Sequence, residues 1–243
     1  MLEGLYSAAA GMAAQQNQLN AVSNDLANLS TDGYKSERVA FSDLLYNTVD
    51  IAGTDTTSGS GAKSEIIGRS ETQGSITETG APLDIAIEGD GYLQVTRANG
   101  QHALTRDGAL SVGADGSLST STGERLYPPI KLPAHVKAEE VSIAADGTVS
   151  ANGKKLGQIK LVTVTSPEHL LAEGSSLLAT SKESGPVHAA KGLIRQGALE
   201  QSNVDIGSDM ATMVSTERSY QLDSTAIQTE SQMMTIANEL RTS

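Results

Sequence analysis

Residues 206–243, IGSDMATMVSTERSYQLDSTAIQTESQMMTIANELRTS, decide the architecture. Met213, Tyr220, Ile227 and Met234 recur every seven residues, while Leu222, Ala226, Met233, Ile236 and Leu240 advance by threes and fours on a neighbouring face. Both spacings are those of one long helix. Its apolar surface is wider than the roughly 100° stripe that suits a helix lying on a single core. Neighbours on more than one side are implied.

The first partner stands at the other end of the chain. Leu5, Met12, Leu19 and Leu26 occupy one heptad position, and Ala8, Gln15, Val22 and Leu29 the position three residues on, a seam with one polar insert. Asp32-Gly33 is expected to stop this helix, because glycine accepts the left-handed conformation that ends one. Helices of about 25 to 33 residues span roughly 40 to 50 Å. Their expected role is to pair with each other and with helices of other copies.

Between them the period changes. Tyr34 to Val49 offers apolar contacts at Val39, Phe41, Leu44, Leu45 and Tyr46, and residues 51–65, IAGTDTTSGSGAKSE, read as a flexible loop until a partner holds them. From about residue 73, short alternating runs such as Ile85–Ile87, Tyr92–Val95, Ala109–Val112, Val141–Ile143 and Ile159–Val164 read as strands. Asp90-Gly91, Asn99-Gly100, Asp107-Gly108, Asp115-Gly116, Asp146-Gly147 and Asn152-Gly153 supply turns that tolerate positive φ. Ser166 to Leu193 reads as a loop packed on the sheet, and Asp205 or Ser208 as the cap of the last helix.

The expected fold class is α+β. Terminal helices, 1–33 and 206–243, pair as a coiled-coil-like assembly layer; 34–72 is an extended linker and flexible loop; 73–205 is an inserted all-β domain of short antiparallel strands.

Composition excludes several functions. A net charge of −12 with no basic run argues against nucleic acid. One Phe, six Tyr and no Trp leave few anchors for a small-molecule pocket, so no substrate is expected. Without cysteine there is neither a disulfide frame nor thiol chemistry. The acidic turns lack the D-x-D-x-D-G spacing of a calcium loop, and His102, His135, His169 and His188 are scattered, so neither metal nor cofactor is expected. Glu139-Glu140, adjacent in sequence, suits a solvated turn better than a catalytic carboxylate pair. MLEGLYSAAAGMAAQQ has neither a basic n-region nor a long apolar run, so it is expected to be neither a cleaved secretory signal nor a membrane span.

Several stretches then resemble one family. Ser23-Asn24-Asp25-Leu26-Ala27-Asn28, continuing through Thr31, Gly33, Tyr34 and Lys35, is similar to the N-terminal signature of the bacterial flagellar rod and hook proteins. Pro82–Ile87 with Gly89–Tyr92, Thr105–Gly108, Gln196–Asp205, Glu217–Gln221 and Gln232–Met234 match in the same order. Among the members the distal rod type is the most similar in pattern, mainly through Tyr127–Pro133 and the last helix, with the proximal rod type as the alternative. The resemblance implies a non-enzymatic subunit of the basal body. It would leave the cytoplasm through the flagellum's own export channel without a cleaved signal and act outside the cytoplasmic membrane. Its implied partners are other copies of itself, other rod proteins and the hook protein, in a helical tube that carries torque from motor to hook and encloses the export channel. Leu5, Met12, Leu19, Val22, Leu26 and Leu29 would form its assembly interface with Met213, Tyr220, Ile227, Met234 and Leu240. The reading from another class is a self-contained surface binding module whose end helices pair within one copy.

Overall fold

The computed structural model describes residues 2–44, 46–51, 54–59, 61–133 and 135–242. Leu45, named above among the apolar contacts, lies outside them, as do residues 52, 53 and 60 of the expected loop. The chain divides into two compact units, one made of Met1–Leu26, Glu37–Ile67 and Asp205–Ser243, the other of Ala27–Ser36 and Gly68–Val204.

The first unit is built on helices α1 (Leu2–Ala27) and α2 (Ile206–Thr242). α1 ends earlier than Gly33. Thr31 donates its amide to the Asn28 carbonyl (3.1 Å) and its hydroxyl to Asn28 Oδ1 (3.2 Å), a turn that competes with helical bonding. Leu29, expected in the seam, therefore sits in that turn. Gly33 does adopt positive φ (+69°), but its requirement for glycine is tertiary as well: a Cβ there would lie 2.5 Å from the Arg106 backbone. At α2 the choice between caps falls to Asp205, whose Oδ1 accepts the amides of Gly207 (2.9 Å) and Ser208 (3.1 Å).

The rest of this unit is a long antiparallel ribbon. Glu37–Asp43 pairs with Ala62–Arg69, and Tyr46–Ile51 pairs with Thr54–Gly59, register Ile51 opposite Thr54. Residues 54–59, inside the stretch expected to be a loop, are thus a strand. Backbone pairing here follows from continuing a hairpin already started by Val39–Phe41, not from side-chain alternation. The ribbon lies on a small-residue face of α1: Ser64 donates its hydroxyl to the Ala14 carbonyl (3.0 Å), and a Cβ on Gly61 would meet Ser7 and Ala10.

The second unit is all β. Its largest sheet is antiparallel and nine-stranded among the described residues. Leu93 and Val95 of the strand Tyr92–Thr96 are fully buried on one face of it, with Ala103 of His102–Thr105 opposite Val95. A three-stranded meander, Val141–Ile143, Thr148–Ala151 and Lys154–Gln158, packs Ile143 and Val149 into the same core, which Ile85, Ile87, Leu118 and Ile130 complete. Four of the six turn dipeptides link neighbouring strands as expected, including Asn152-Gly153, where both residues have positive φ. Asp107-Gly108 does something else. Gly108 lets the chain pass against the Ile85 carbonyl, 1.7 Å from where a Cβ would stand, and accepts the Ile85 amide. Within Ser166–Leu193, expected to be a loop, Leu171–Ala172, Leu177–Ala179 and Val187–Ala189 add short strands to the large sheet.

Candidate functional site

In the first unit α1 and α2 run antiparallel. A Cβ on Gly4 would stand 3.0 Å from the Glu230 carboxylate and one on Gly11 3.1 Å from Asp223, so seven residues up one helix answer seven residues down the other. On α1, Val22 is buried and Leu5, Met12, Leu19 and Leu26 are half-buried. On α2, Met213, Ile227 and Met234 are half-buried, whereas Tyr220 and Leu240 are exposed. The half-buried line of α2 also takes in Asp209, Thr216, Asp223 and Glu230, one heptad position that heptad reading by apolar residues passes over. Gly4 and Gly11 make room for two of those carboxylates. The seam carries two unsatisfied atoms: Gln15 Oε1 and Asp209 Oδ2 are buried without a hydrogen-bond partner. Burial, then the nearby Asp205 carboxylate, pushes the Asp209 pKa up.

A second face of α2 remains open. Ile206, Met210 and Val214, then Leu222 (71% exposed), Met233, Ile236 and Leu240 (74%), are exposed large apolar residues on one helix. Scattered exposed leucines are ordinary, but a helical stripe of them marks an interaction surface.

In the second unit the family-like motifs converge. Gly33, Tyr34 and Lys35 are buried. Lys35 Nζ donates to Glu200 Oε1 at 2.7 Å and to the Thr72 carbonyl at 2.7 Å. Arg106 Nη1 donates to Glu200 Oε2 at 3.0 Å, and its Nη2 to the Gly89 carbonyl at 3.0 Å. All three charged side chains are 3% exposed or less. The Arg106 guanidinium lies 5.3 Å from the centre of the Tyr92 ring, and the Tyr92 hydroxyl donates to the Glu71 carboxylate at 3.0 Å. Burial pulls the Lys35 ammonium below the usual lysine value, and the Glu200 contact opposes that shift. Burial raises the Tyr92 hydroxyl, with the Glu71 charge adding to it. Beside this cluster, burial also raises the carboxyls of Asp32 and Asp107; Asp107 and Asp84 push Asp32 further, and Asp107 feels Asp84 too.

The residues of the N-terminal family motif are divided between the two units. Leu26 and Asn24, whose amide reaches Glu37 Oε1 (3.2 Å), belong to the first unit. Ala27, Asn28, Thr31, Gly33, Tyr34 and Lys35 belong to the second. Glu200, Asn203 and Arg106 were not singled out from the sequence. The available signal was a charge in each ordered motif, Lys35, Arg106 and Glu200, of signs that can neutralise one another. Among the described residues no grouping of His, Cys, Asp or Glu could hold a metal ion.

Comparison with known proteins places the same segments in one family. Family models match residues 5–35 (flagella basal body rod protein), 86–151 (flagellar hook protein FlgE/F/G D1 domain) and 195–240 (flagellar basal body rod FlgEFG protein C-terminal). The flagellar basal-body rod protein FlgG of Borreliella burgdorferi is 36% identical over 99% of both chains. That of Buchnera aphidicola subsp. Acyrthosiphon pisum is 33% identical over 99% of this chain and 100% of its own. The chain belongs to the flagellar basal-body rod and hook protein family. The flagellar hook-basal body complex protein FlhP of Bacillus subtilis, 30% identical over 99% of this chain, is another relative. The buried cluster takes one charged residue from each of the three matched regions of the family: Lys35, Arg106 and Glu200.

Proposed function

We propose that this chain is a structural subunit of the flagellar basal-body rod, of the distal type, and that it polymerises with copies of itself. The helical tube so formed would carry torque from motor to hook and enclose the export channel. Full-length similarity to proteins named as basal-body rod proteins supports the rod assignment. The observation that carries self-assembly is the exposed apolar stripe Leu222, Met233, Ile236 and Leu240, which pairing with α1 leaves uncovered. Head-to-tail contacts that do not close into a ring generate an open helical polymer. Repeated burial of such a stripe, at about 25 cal/mol per Å² before the entropy cost of association, would contribute to its driving force.

Leu5, Met12, Leu19, Val22 and Leu26 with Met213, Tyr220, Ile227 and Met234 would form the packed helical layer of the tube, and Leu240 with the outer stripe its contact to the next copy. Other rod proteins and the hook protein are the partners at the tube's ends. No helix of the described residues is long and apolar enough to cross a membrane. The subunit would stand outside the cytoplasmic membrane, exported without a cleaved signal, a placement that rests on its similarity to basal-body rod proteins. The test is complementation of a strain lacking its distal rod protein, with basal bodies imaged by electron microscopy. Rods of normal length support the distal assignment. Rods restored only in a strain lacking a proximal rod protein favour the proximal type, and restoration in neither overturns the rod reading.

A further inference from the structure

The chain passes between its two units at four places: after Leu26, Ser36, Ile67 and Val204. Three segments leading to those passages, Gly33–Ser36, Arg69–Gly74 and Glu200–Asn203, meet within the second unit at two side chains. The Glu200 carboxylate accepts from Lys35 Nζ, from Arg106 Nη1 and from the Gly74 amide (3.0 Å), and the Glu200 carbonyl accepts the Gly33 amide (2.7 Å). Asn203 uses its whole amide: Oδ1 accepts the Ser36 amide (2.8 Å), and Nδ2 donates to the Thr72 carbonyl (2.9 Å) and hydroxyl (3.0 Å). Its backbone amide donates to the Tyr34 carbonyl (3.3 Å). Arg69 closes the ring, donating Nη1 to the Lys35 carbonyl (2.9 Å) with its guanidinium 5.3 Å from the Tyr34 ring centre.

Fold stability alone is a poor reason for such a cluster. A buried ion pair is often matched or bettered by apolar residues of the same volume, because desolvation consumes the Coulombic gain. This one also leaves Arg106 Nε buried without a partner. What directional bonds supply, and apolar contacts do not, is a fixed geometry.

We infer that Glu200 and Asn203 are positioning residues that bind these three segments together inside the second unit, so that a couple entering it is shared among them instead of falling on one segment. The inference rests on the rod reading for the load itself. The clamp is a property of the chain.

The test uses the full chain carrying Asn203→Ala, at a half-buried position, and a second variant, Lys35→Met/Arg106→Met/Glu200→Leu, that fills the cluster with apolar volume. Amide exchange at Ser36 in the first and at Gly74 in the second is expected to quicken at least tenfold. Exchange in the core strands Tyr92–Thr96 and Thr148–Ala151 should stay within about twofold. In cells, rods of normal number and length should form but break several-fold more often under a fixed shear. Unchanged exchange at Ser36 and Gly74 overturns the clamp. Faster exchange with no rise in breakage overturns its role in sharing the load. Loss of core protection in step with breakage would reduce the cluster to fold stability and overturn the inference too. Absence of rods with the unsubstituted chain condemns the rod reading instead, while the exchange measurement still decides the clamp.

Discussion

Leu222→Asp separates the folding of one copy from the association of many. In a single copy Leu222 is 71% exposed, so the change removes almost no packing. Its cost there is the lower helix propensity of aspartate, about 0.5 kcal/mol, within the usual range of surface substitutions. In a polymer whose contacts bury the stripe, the same change forfeits the burial of a leucine, about 1.5–3 kcal/mol, and adds the desolvation of an unpaired carboxylate. Taking about 3 kcal/mol as a floor, association falls more than about a hundredfold, since every 1.4 kcal/mol is a factor of ten. Sedimentation of purified chain gives the critical concentration for polymerisation, and a thermal melt of the same sample gives the single-copy stability. Gln221→Asp is the control, an exposed polar position on the same helix. The reasoning requires a Tm within a few degrees for both variants and loss of polymer for Leu222→Asp alone. Polymerisation of Leu222→Asp at the parent concentration, or equal loss in both, refutes it.

Other expectations follow from the same geometry. Leu19→Asp or Ile227→Asp, each placing a charge in the half-buried seam, should abolish rods while the second unit keeps its exchange protection; a motile strain with either as its only copy contradicts this. Gln15→Met removes a buried oxygen with no hydrogen-bond partner and should raise the stability of the helical unit by about 1 kcal/mol in denaturant titration; a fall would show the oxygen to be satisfied. Gly33→Ala forces a Cβ onto the Arg106 backbone at positive φ and should destabilise the second unit by more than about 2 kcal/mol in denaturant titration, against no change if the loop can shift. Because burial holds the Asp107 carboxyl above its ordinary 3.8, the folded chain binds that proton more tightly than the unfolded one, and stability falls as pH rises from there through the folded value. Asp107→Asn, which keeps the bond from the Ala109 amide, should therefore match the parent below that window and exceed it at neutral pH; a variant no more stable than the parent at neutral pH overturns the assignment.

Legibility in the sequence followed the range of the forces involved. Long helices carry their period over many turns, so both were readable from heptads, as were strands such as Tyr92–Thr96 that alternate over a hairpin. The helix ends were not readable from Gly33, because its φ answers to the Arg106 backbone, a contact between residues far apart in sequence. Strands of two or three residues, such as Leu171–Ala172, are too short to show any period and exist only as partners of a neighbour. The strand Thr54–Gly59 has the composition of a loop and is held by backbone pairing, to which composition is nearly blind. The same holds for the buried cluster. Lys35, Arg106 and Glu200 were each visible in a motif, but their meeting is a tertiary contact that brings 165 residues of separation between Lys35 and Glu200 down to 2.7 Å. Asp223 and Glu230 escaped notice because a seam is sought among apolar residues, whereas glycines opposite can admit carboxylates.

Since the chain has no cysteine, one introduced thiol reports on one place. The most direct measurement is maleimide labelling of Leu222→Cys and of Ile236→Cys, each in the free chain and in intact rods, with Lys182→Cys as an exposed reference in the β unit. If copies bury the outer stripe of α2, both helix positions label freely in the single copy and at least tenfold more slowly in rods. Equal labelling in the two states would mean that the stripe stays in water after assembly, and the account of how this subunit polymerises would be wrong.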